Sequence, residues 1–388
     1  MSAVAINLPR ILRVGAGAST ELVATMAQLG VSNPLLVTDP FMVQQGYAGA
    51  LEQQLKEAGL PCAVFADSVP DPTTDSVAAA THKLQAGGHD CVVALGGGSS
   101  IDTAKAAAVM VQRDGPMRDY KVPCAIDTGL PVIAVPTTAG TGSEVTRAAV
   151  ITDTETQEKM LCMGLGLVPV AALVDYELTL TMPYRLSADT GIDSLCHAME
   201  AYVSRKANAF TDGIALTAMA AIHTHIRTAC AEPDNRVARE AMMLAATQGG
   251  MAFSNASVTL IHGMSRPIGA HFHVPHGLSN AMLLPEVTAW SVSGAERRYA
   301  DCARIMGLAR TADNDQLATD KLIAGLRQLN ADLQVPGPAE WGVAQQSWDQ
   351  LMPLMAQQAL DSGSPSNNPR IPDVEEIAQL YQRVWDAA

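Results

Sequence analysis

Cys91-Val-Val-Ala-Leu95 runs directly into Gly96-Gly-Gly-Ser-Ser-Ile-Asp102 and then into Thr103-Ala-Lys-Ala-Ala-Ala-Val109. A short, wholly apolar run is the mark of a strand buried on both faces, and the alanine-rich stretch after it favours helix, so the triple glycine makes a tight strand-to-helix turn. A strand hidden on both sides needs helices above and below it, which narrows the choice to a mostly parallel α/β sheet. The same alternation extends in both directions. Leu35–Thr38, Cys62–Ala66, Val132–Val135 and Val170–Val174 read as further buried strands, and Val43–Gly59 and Thr73–Gly87 carry helical spacing.

Beyond Met182 the texture changes to long alanine-, leucine- and methionine-rich stretches, Ala188–Arg205, Ile214–Thr228 and Val237–Phe253, with no strand among them. An all-α second domain is expected. Thr181-Met182-Pro183 makes a natural stop, and the expected division is residues 1–185 and 186–388. A chain of 388 residues has room for two cores. Asp361–Pro372, rich in Ser, Asn and Pro, reads as a tether before a last helix at Val374–Trp385. Charged residues make up only 16% and apolar ones 48%, which predicts order nearly throughout. A net charge of -14 with no basic run argues against nucleic acid as a partner. No charge-free apolar run approaches the roughly 18 residues of a membrane span, and Met1–Arg10 has no leader pattern. Seven scattered cysteines without a C-x-x-C pair fit a reducing cytoplasm.

Glycines let backbone N–H groups approach a pyrophosphate, and the helix that follows aims its dipole at the anion, so Gly96–Asp102 is a candidate phosphate cradle. Its alternative is a plain tight turn. Pro136-Thr-Thr-Ala-Gly-Thr-Gly-Ser-Glu144 also follows a strand and offers hydroxyls and amides near the same sheet edge. Gly15-Ala-Gly17-Ala-Ser-Thr20 resembles a truncated G-x-G-x-x-G that lacks its third glycine. Asp39, at the end of a strand, is placed either to accept ribose hydroxyls, which predicts NAD over NADP, or to cap the helix that begins near Pro40.

His262–Gly277, read as H-G-M-S-R-P-I-G-A-H-F-H-V-P-H-G, holds four of the nine histidines. Its glycines and prolines argue for a helix end, a loop and a new start. Imidazole near neutral pH is a ready ligand for transition metals. Asp193 and His197 lie four apart on an expected helix and so project from one face, either as an anchor for a metal or as an exposed hydrogen-bonded pair. Together with His262 and His276 they make one carboxylate and three imidazoles, a donor set suited to Fe(II) or Zn(II).

These stretches, in this order, resemble the iron-containing (group III) alcohol dehydrogenase family. The likeness runs from Gly15-Ala-Gly17 through Gly96–Lys105, Pro136–Thr146 and Gly191-Ile-Asp-Ser-Leu-Cys-His197 to His262-Gly-Met and Pro275-His-Gly277. It implies a dehydroquinate synthase-like architecture: an α/β dinucleotide-binding domain, an all-α domain, and an active site in the cleft between them. It implies Asp193, His197, His262 and His276 as metal ligands, and Phe253 on the substrate side. For NAD it points to Asp39, Asp71 (where relatives often carry Asn), Gly97, Gly98, Ser99, Ser100, Asp102, Thr137, Thr138, Lys159 and Leu178. His271 and His273 match no ligand position. The implied reaction is metal-dependent hydride transfer between NAD and a small alcohol or aldehyde, by a homodimer or larger homo-oligomer. One departure stands out: many relatives carry a proton-relaying histidine four residues after the third ligand, and this chain has Arg266. Arginine keeps its proton near neutral pH, so Arg266 is expected either to grip an anionic group of the substrate or to pair with a neighbouring carboxylate. The alternatives to a dehydrogenase are an NAD- and metal-dependent lyase of the dehydroquinate synthase type, and a metal or nucleotide sensor.

Overall fold

The computed structural model describes residues 3–156 and 158–387. The chain forms two compact units, one spanning Ala5–Thr181 and the other Met182–Ala388, which also takes in Val4.

The first unit is α/β. Its strands are β1 (Ile11–Val14), β2 (Pro34–Val37), β3 (Ala63–Phe65), β4 (Cys91–Gly96), β5 (Val132–Pro136), β6 (Ala148–Thr152), β7 (Lys159–Met163) and β8 (Ala171–Val174). Its helices are α1 (Leu22–Leu29), α2 (Pro40–Gln44), α3 (Tyr47–Glu57), α4 (Thr74–Gly87) and α5 (Gly98–Met110). Six strands make one parallel sheet in the order β1-β8-β5-β4-β2-β3. Successive side chains of a strand point to opposite faces. Leu36, Val93, Leu95 and Val135 therefore meet Leu22, Met26, Leu51 and Leu55 on one side. Leu35, Val37, Val92 and Ala94 meet Ala80, Leu84, Ile101 and Ala104 on the other. Because both faces are covered, the central strands read as unbroken apolar runs.

The elements that escaped the sequence reading are the ones that lack this double burial. The edge strand β1 alternates half-buried and exposed residues, and the antiparallel pair β6–β7 alternates half-buried and buried ones. Val43–Gly59, read as one helix, is broken at Gly46, whose φ of 81° is left-handed.

The second unit is helical: α6 (Tyr184–Val203), α7 (Ala209–Ala231), α8 (Arg236–Asn255), α9 (Leu260–Phe272), α10 (His276–Ser291), α11 (Glu296–Ile305), α12 (Asp315–Asp332), α13 (Pro338–Trp341), α14 (Gln345–Asp361) and α15 (Val374–Asp386). Side-chain caps define several starts, with Asn208 accepting from Thr211 N, Asn235 from Ala238 N and Asp373 from Glu376 N. The histidine stretch is, as its glycines and prolines require, a helix, a three-residue link and a new helix. Asp361–Pro372 is not the tether expected of it. Ser364, Pro365, Asn367 and Asn368 are buried; Asn368 donates to Ser291 Oγ at 3.0 Å and Asn367 to Ser257 Oγ at 2.9 Å. Polar composition misled because these side chains satisfy neighbouring helices, not water. Among the described residues no helix is long and apolar enough to cross a membrane, and all seven cysteines are unpaired.

Candidate active site

Helix α6 supplies Asp193 and His197 one turn apart, α9 supplies His262 from its first turn, and α10 begins with His276. Around Asp193 Oδ1 stand His262 Nε2 at 3.4 Å, His197 Nε2 at 3.7 Å and His276 Nε2 at 3.9 Å. One ligand atom each from Asp193, His262 and His276 lies within 4.8 Å of the other two. Bonds of about 2.0–2.1 Å to a tetrahedral ion require ligand atoms about 3.4 Å apart, so the spacing suits a transition metal. Asp193, His197 and His262 are buried, whereas the His276 side chain keeps 44% of its surface exposed and marks the open side of the cluster.

The helices that carry these ligands also hold them in place. Glu200, one turn beyond His197 on α6, is buried; its Oε2 takes His262 Nδ1, and its Oε1 accepts from Thr259 Oγ1 and Ile261 N, both at 2.8 Å. Fixing the Nδ1 proton in this way presents the Nε2 lone pair to Asp193 and its neighbours. Asn280, one turn after His276, points its amide nitrogen at Asp193 Oδ1 (2.6 Å), His262 Nε2 (3.2 Å) and His276 Nε2 (3.3 Å). The Asn280 amide thus marks the point where Asp193, His262 and His276 meet, and its Oδ1 is buried without a partner among the described residues. Phe253 of α8 stacks on His197 with centroids 4.3 Å apart, and His197 stacks in turn on His262 at 4.6 Å.

Electrostatics favour positive charge at this point. Burial alone would raise the Asp193 carboxyl, but the imidazoles of His197, His276 and His262 hold it far below the usual carboxylate range. His262 is pushed up to about 9, because Glu200 and Asp193 together outweigh its desolvation. His276 lies below the ordinary histidine value, first through the desolvation that its recessed position imposes despite the exposed part of its side chain, with His262, His197 and Arg266 acting in the same direction and Asp193 against it. Two buried carboxylates that hold a proton on the imidazole between them favour any cation there.

In the α/β unit, Asp39, the glycine turn and the Pro136–Glu144 loop stand at the carboxyl ends of the adjacent strands β2, β4 and β5, where ligands of open α/β sheets bind. Gly96 has a φ of 142°, and a Cβ on Gly98 would lie 2.9 Å from Thr141 Cγ2, so the turn and the second loop press together. No side chain caps α5, which leaves its first-turn amides open to an anion. Asp39 caps α2, its Oδ1 accepting from Met42 N at 3.0 Å, while its Oδ2 accepts from Ser100 Oγ at 3.0 Å beside the turn. Asp71, at a left-handed φ of 52°, pairs with Lys159 at 2.9 Å. Thr137 is buried, and Leu178 packs against the sheet core. Asp102 accepts from Ser143 Oγ at 2.5 Å and from Val150 N at 2.9 Å. The Gly15–Thr20 turn is closed internally, since Gly17 N and Ser19 N both donate to Asp175 at 3.2 Å.

Three residues of the site were not foreseen. Glu200 had a signal, lying three and seven residues past His197 and Asp193 and hence on their face of the helix. Asn280 had a weaker one, four residues after His276. Ser364, which accepts from Arg266 Nη1 at 3.0 Å, had none, because 98 residues separate the two. His271 meets Gln358 Oε1 at 2.8 Å, and His273 sits left-handed in the link between α9 and α10.

The chain matches the iron-containing alcohol dehydrogenase family over residues 9–176, and the C-terminal part of the Fe-containing alcohol dehydrogenase family over residues 187–385. It is 34% identical to the NAD-dependent methanol dehydrogenase of Bacillus methanolicus, over 97% of this chain and 98% of that one. It is also 34% identical to the lactaldehyde reductase of Escherichia coli, over 96% and 97%. The solved structure of a 1,3-propanediol oxidoreductase superposes with a TM-score of 0.95 at 33% identity, covering 99% of this chain and all of the other. With likeness of this breadth over both units, the chain belongs to the iron-containing alcohol dehydrogenase family and is an NAD- and divalent-metal-dependent oxidoreductase of alcohols and aldehydes.

Proposed function

We propose that Asp193, His197, His262 and His276 hold a divalent cation, Fe(II) in preference to Zn(II), and that the substrate is a small alcohol or aldehyde. The observation that carries this reading is the spacing of 3.4–3.9 Å from Asp193 Oδ1 to three imidazole nitrogens. When bound, the cation stabilises the alkoxide and the nicotinamide accepts hydride, so that alcohol and NAD+ give aldehyde, NADH and a proton. The protein's own part is positional. Glu200 fixes the His262 tautomer, Asn280 holds the Asp193 carboxylate, and Phe253, on the substrate side, stacks on His197. Asp39, Asp71, Gly97, Gly98, Ser99, Ser100, Asp102, Thr137, Thr138, Lys159 and Leu178 are assigned to NAD, Asp102 also tying its helix to the second loop through Ser143 and to β6 through Val150. Arg266 does not serve as the proton relay, because a guanidinium keeps its proton.

The oxidoreductases among its relatives do not favour the lyase or sensor readings. Seven unpaired cysteines support a cytoplasmic setting, and the edge strand β1, with Leu12 and Val14 exposed, supports association into a homodimer or larger oligomer. The test is metal reconstitution followed by a panel of short alcohols with NAD. Stoichiometric metal that disappears in His262→Ala, together with NADH formation that tracks metal content, is the expected result. Full turnover in metal-free protein would sink the assignment.

A further inference from the structure

Most arginines of the helical unit that contact another side chain rest on a carboxylate: Arg185 on Asp189, Arg227 on Asp332, Arg298 on Asp212, Arg304 on Asp315, Arg327 on Glu286 and Arg370 on Glu376. Buried Arg239 is satisfied by Pro233 O and Ser187 Oγ. Arg266 differs from all of these. Among the described residues its one hydrogen-bond partner is Ser364 Oγ at 3.0 Å, and it forms no ion pair. A guanidinium carries five N–H donors in a planar fork, so most of the fork is free.

Its position makes this costly unless something answers it. Arg266 follows His262 by one turn of α9, which places the two side chains on one face with Cβ atoms about 5–6 Å apart. Desolvation draws its pKa below the ordinary arginine value, with only the charge of Glu200 acting against that, and the Glu200 oxygens are already taken by Thr259, Ile261 and His262. Asp193 and Glu200 balance a divalent ion, which leaves the charge of Arg266 without a counterpart. Ser364 is buried in the packed 361–372 segment, and Pro365 beside it seats so closely on α9 that a Cβ at Gly263 would lie 2.8 Å from Pro365 Cγ. The fork is therefore held, not loose.

We propose that Arg266, steadied by Ser364, binds an oxyanion on the substrate, and that the preferred substrates are short alcohols or aldehydes carrying a carboxylate or sulfonate a few atoms from the carbinol carbon. This rests on the dehydrogenase reading above. A planar fork takes two oxygens of such a group at once, and Arg266 stands one helical turn from His262, close enough for its charge to act on His276.

The test compares metal-loaded wild type with Arg266→Met, Arg266→Lys and Ser364→Ala on propan-1-ol, 3-hydroxypropanoate and 2-hydroxyethanesulfonate, together with calorimetric titration of propanoate as an unreactive probe. Wild type is expected to favour at least one anionic alcohol over propan-1-ol by kcat/KM, the two anions telling carboxylate from sulfonate. Arg266→Met should cut the anionic-to-neutral ratio by about 100-fold, Arg266→Lys by about 10-fold, and Ser364→Ala by about 3- to 10-fold. Propanoate binding should weaken in the same order. If Arg266→Met does not fold, the two milder variants decide. Equal losses on charged and neutral alcohols, a wild type that prefers propan-1-ol to both anions, or propanoate binding indifferent to Arg266 overturns the proposal. A protein that makes NADH from none of the alcohols overturns the parent reading instead, and the propanoate titration still reports on the arginine.

Discussion

Two clusters of ionisable groups, one in each unit, are built on opposite plans. In the α/β unit, Lys105 is fully buried; its Nζ donates to Ser143 Oγ (2.9 Å), Ala148 O (3.0 Å) and Thr146 Oγ1 (3.1 Å) and faces Asp102 at 3.8 Å. Burial pushes the lysine down to about 8 against the pull of Asp102 and Glu144, and burial pushes Asp102 up. The lysine already has carboxylates beside it and an acceptor for each of its protons, so the cluster is closed. In the helical unit two carboxylates face three imidazoles, and balance requires a cation from outside. Strongly shifted pKa values occur in both, so a shifted pKa alone does not mark a functional site. What separates the two is whether the donors and acceptors already present complete one another.

The contrast breaks most sharply under mutation. Asp193→Ala should abolish stoichiometric metal, with turnover falling by more than the 10–100-fold that loss of an outer partner costs; metal analysis and NADH absorbance report it, and the α/β unit should keep its stability. Lys105→Met should act in the reverse sense, leaving metal content intact but lowering unfolding free energy by about 3 kcal/mol, because the partly buried Asp102 loses its cation and Ser143, Thr146 and Ala148 lose their donor. The double variant Lys105→Met/Asp102→Asn should recover part of that loss in urea titrations, whereas additive losses would mean the pair is not coupled. Glu200→Gln keeps an acceptor for Thr259 but weakens the hold on His262, and should lower metal affinity about 10–100-fold in chelator competition. The smallest effect is on pH dependence. Lys105 releases its proton near pH 8 in the folded chain and near 10.5 when unfolded, so between those values the unfolded state binds more protons and stability rises with pH. Urea midpoints at pH 7.5 and 9.5 should show that gain in wild type and not in Lys105→Met.

How much of this was legible in the sequence follows from the same physics. Doubly buried strands such as Cys91–Gly96 and Val132–Pro136 announce themselves as apolar runs, whereas Ile11–Val14, with Arg13 inside it and one face open, does not. The ligands were legible because carboxylate and imidazole at helical spacing are chemically distinctive. Their supports were less so: Glu200 shares a helix face with Asp193 and His197 and was within reach, but Ser364 belongs to a polar stretch that composition reads as solvent-facing. Asp102 shows the limit from the other side. It sits in a glycine-rich motif that the sequence displays, but the bonds its oxygens accept from Ser143 and Val150 are ones that only the folded arrangement of β6 against α5 reveals.

The hydroxyl of Tyr381, in α15, donates to the backbone oxygen of Met264 at 2.7 Å, while Trp348 packs edge-on against the same tyrosine and face-on against Phe272. The far end of the polypeptide is thus a buttress for the helix that bears His262 and Arg266. Shortening the chain before Tyr381, or fusing a rigid partner that pulls α15 away, is therefore a change to the chemistry and not merely to the periphery.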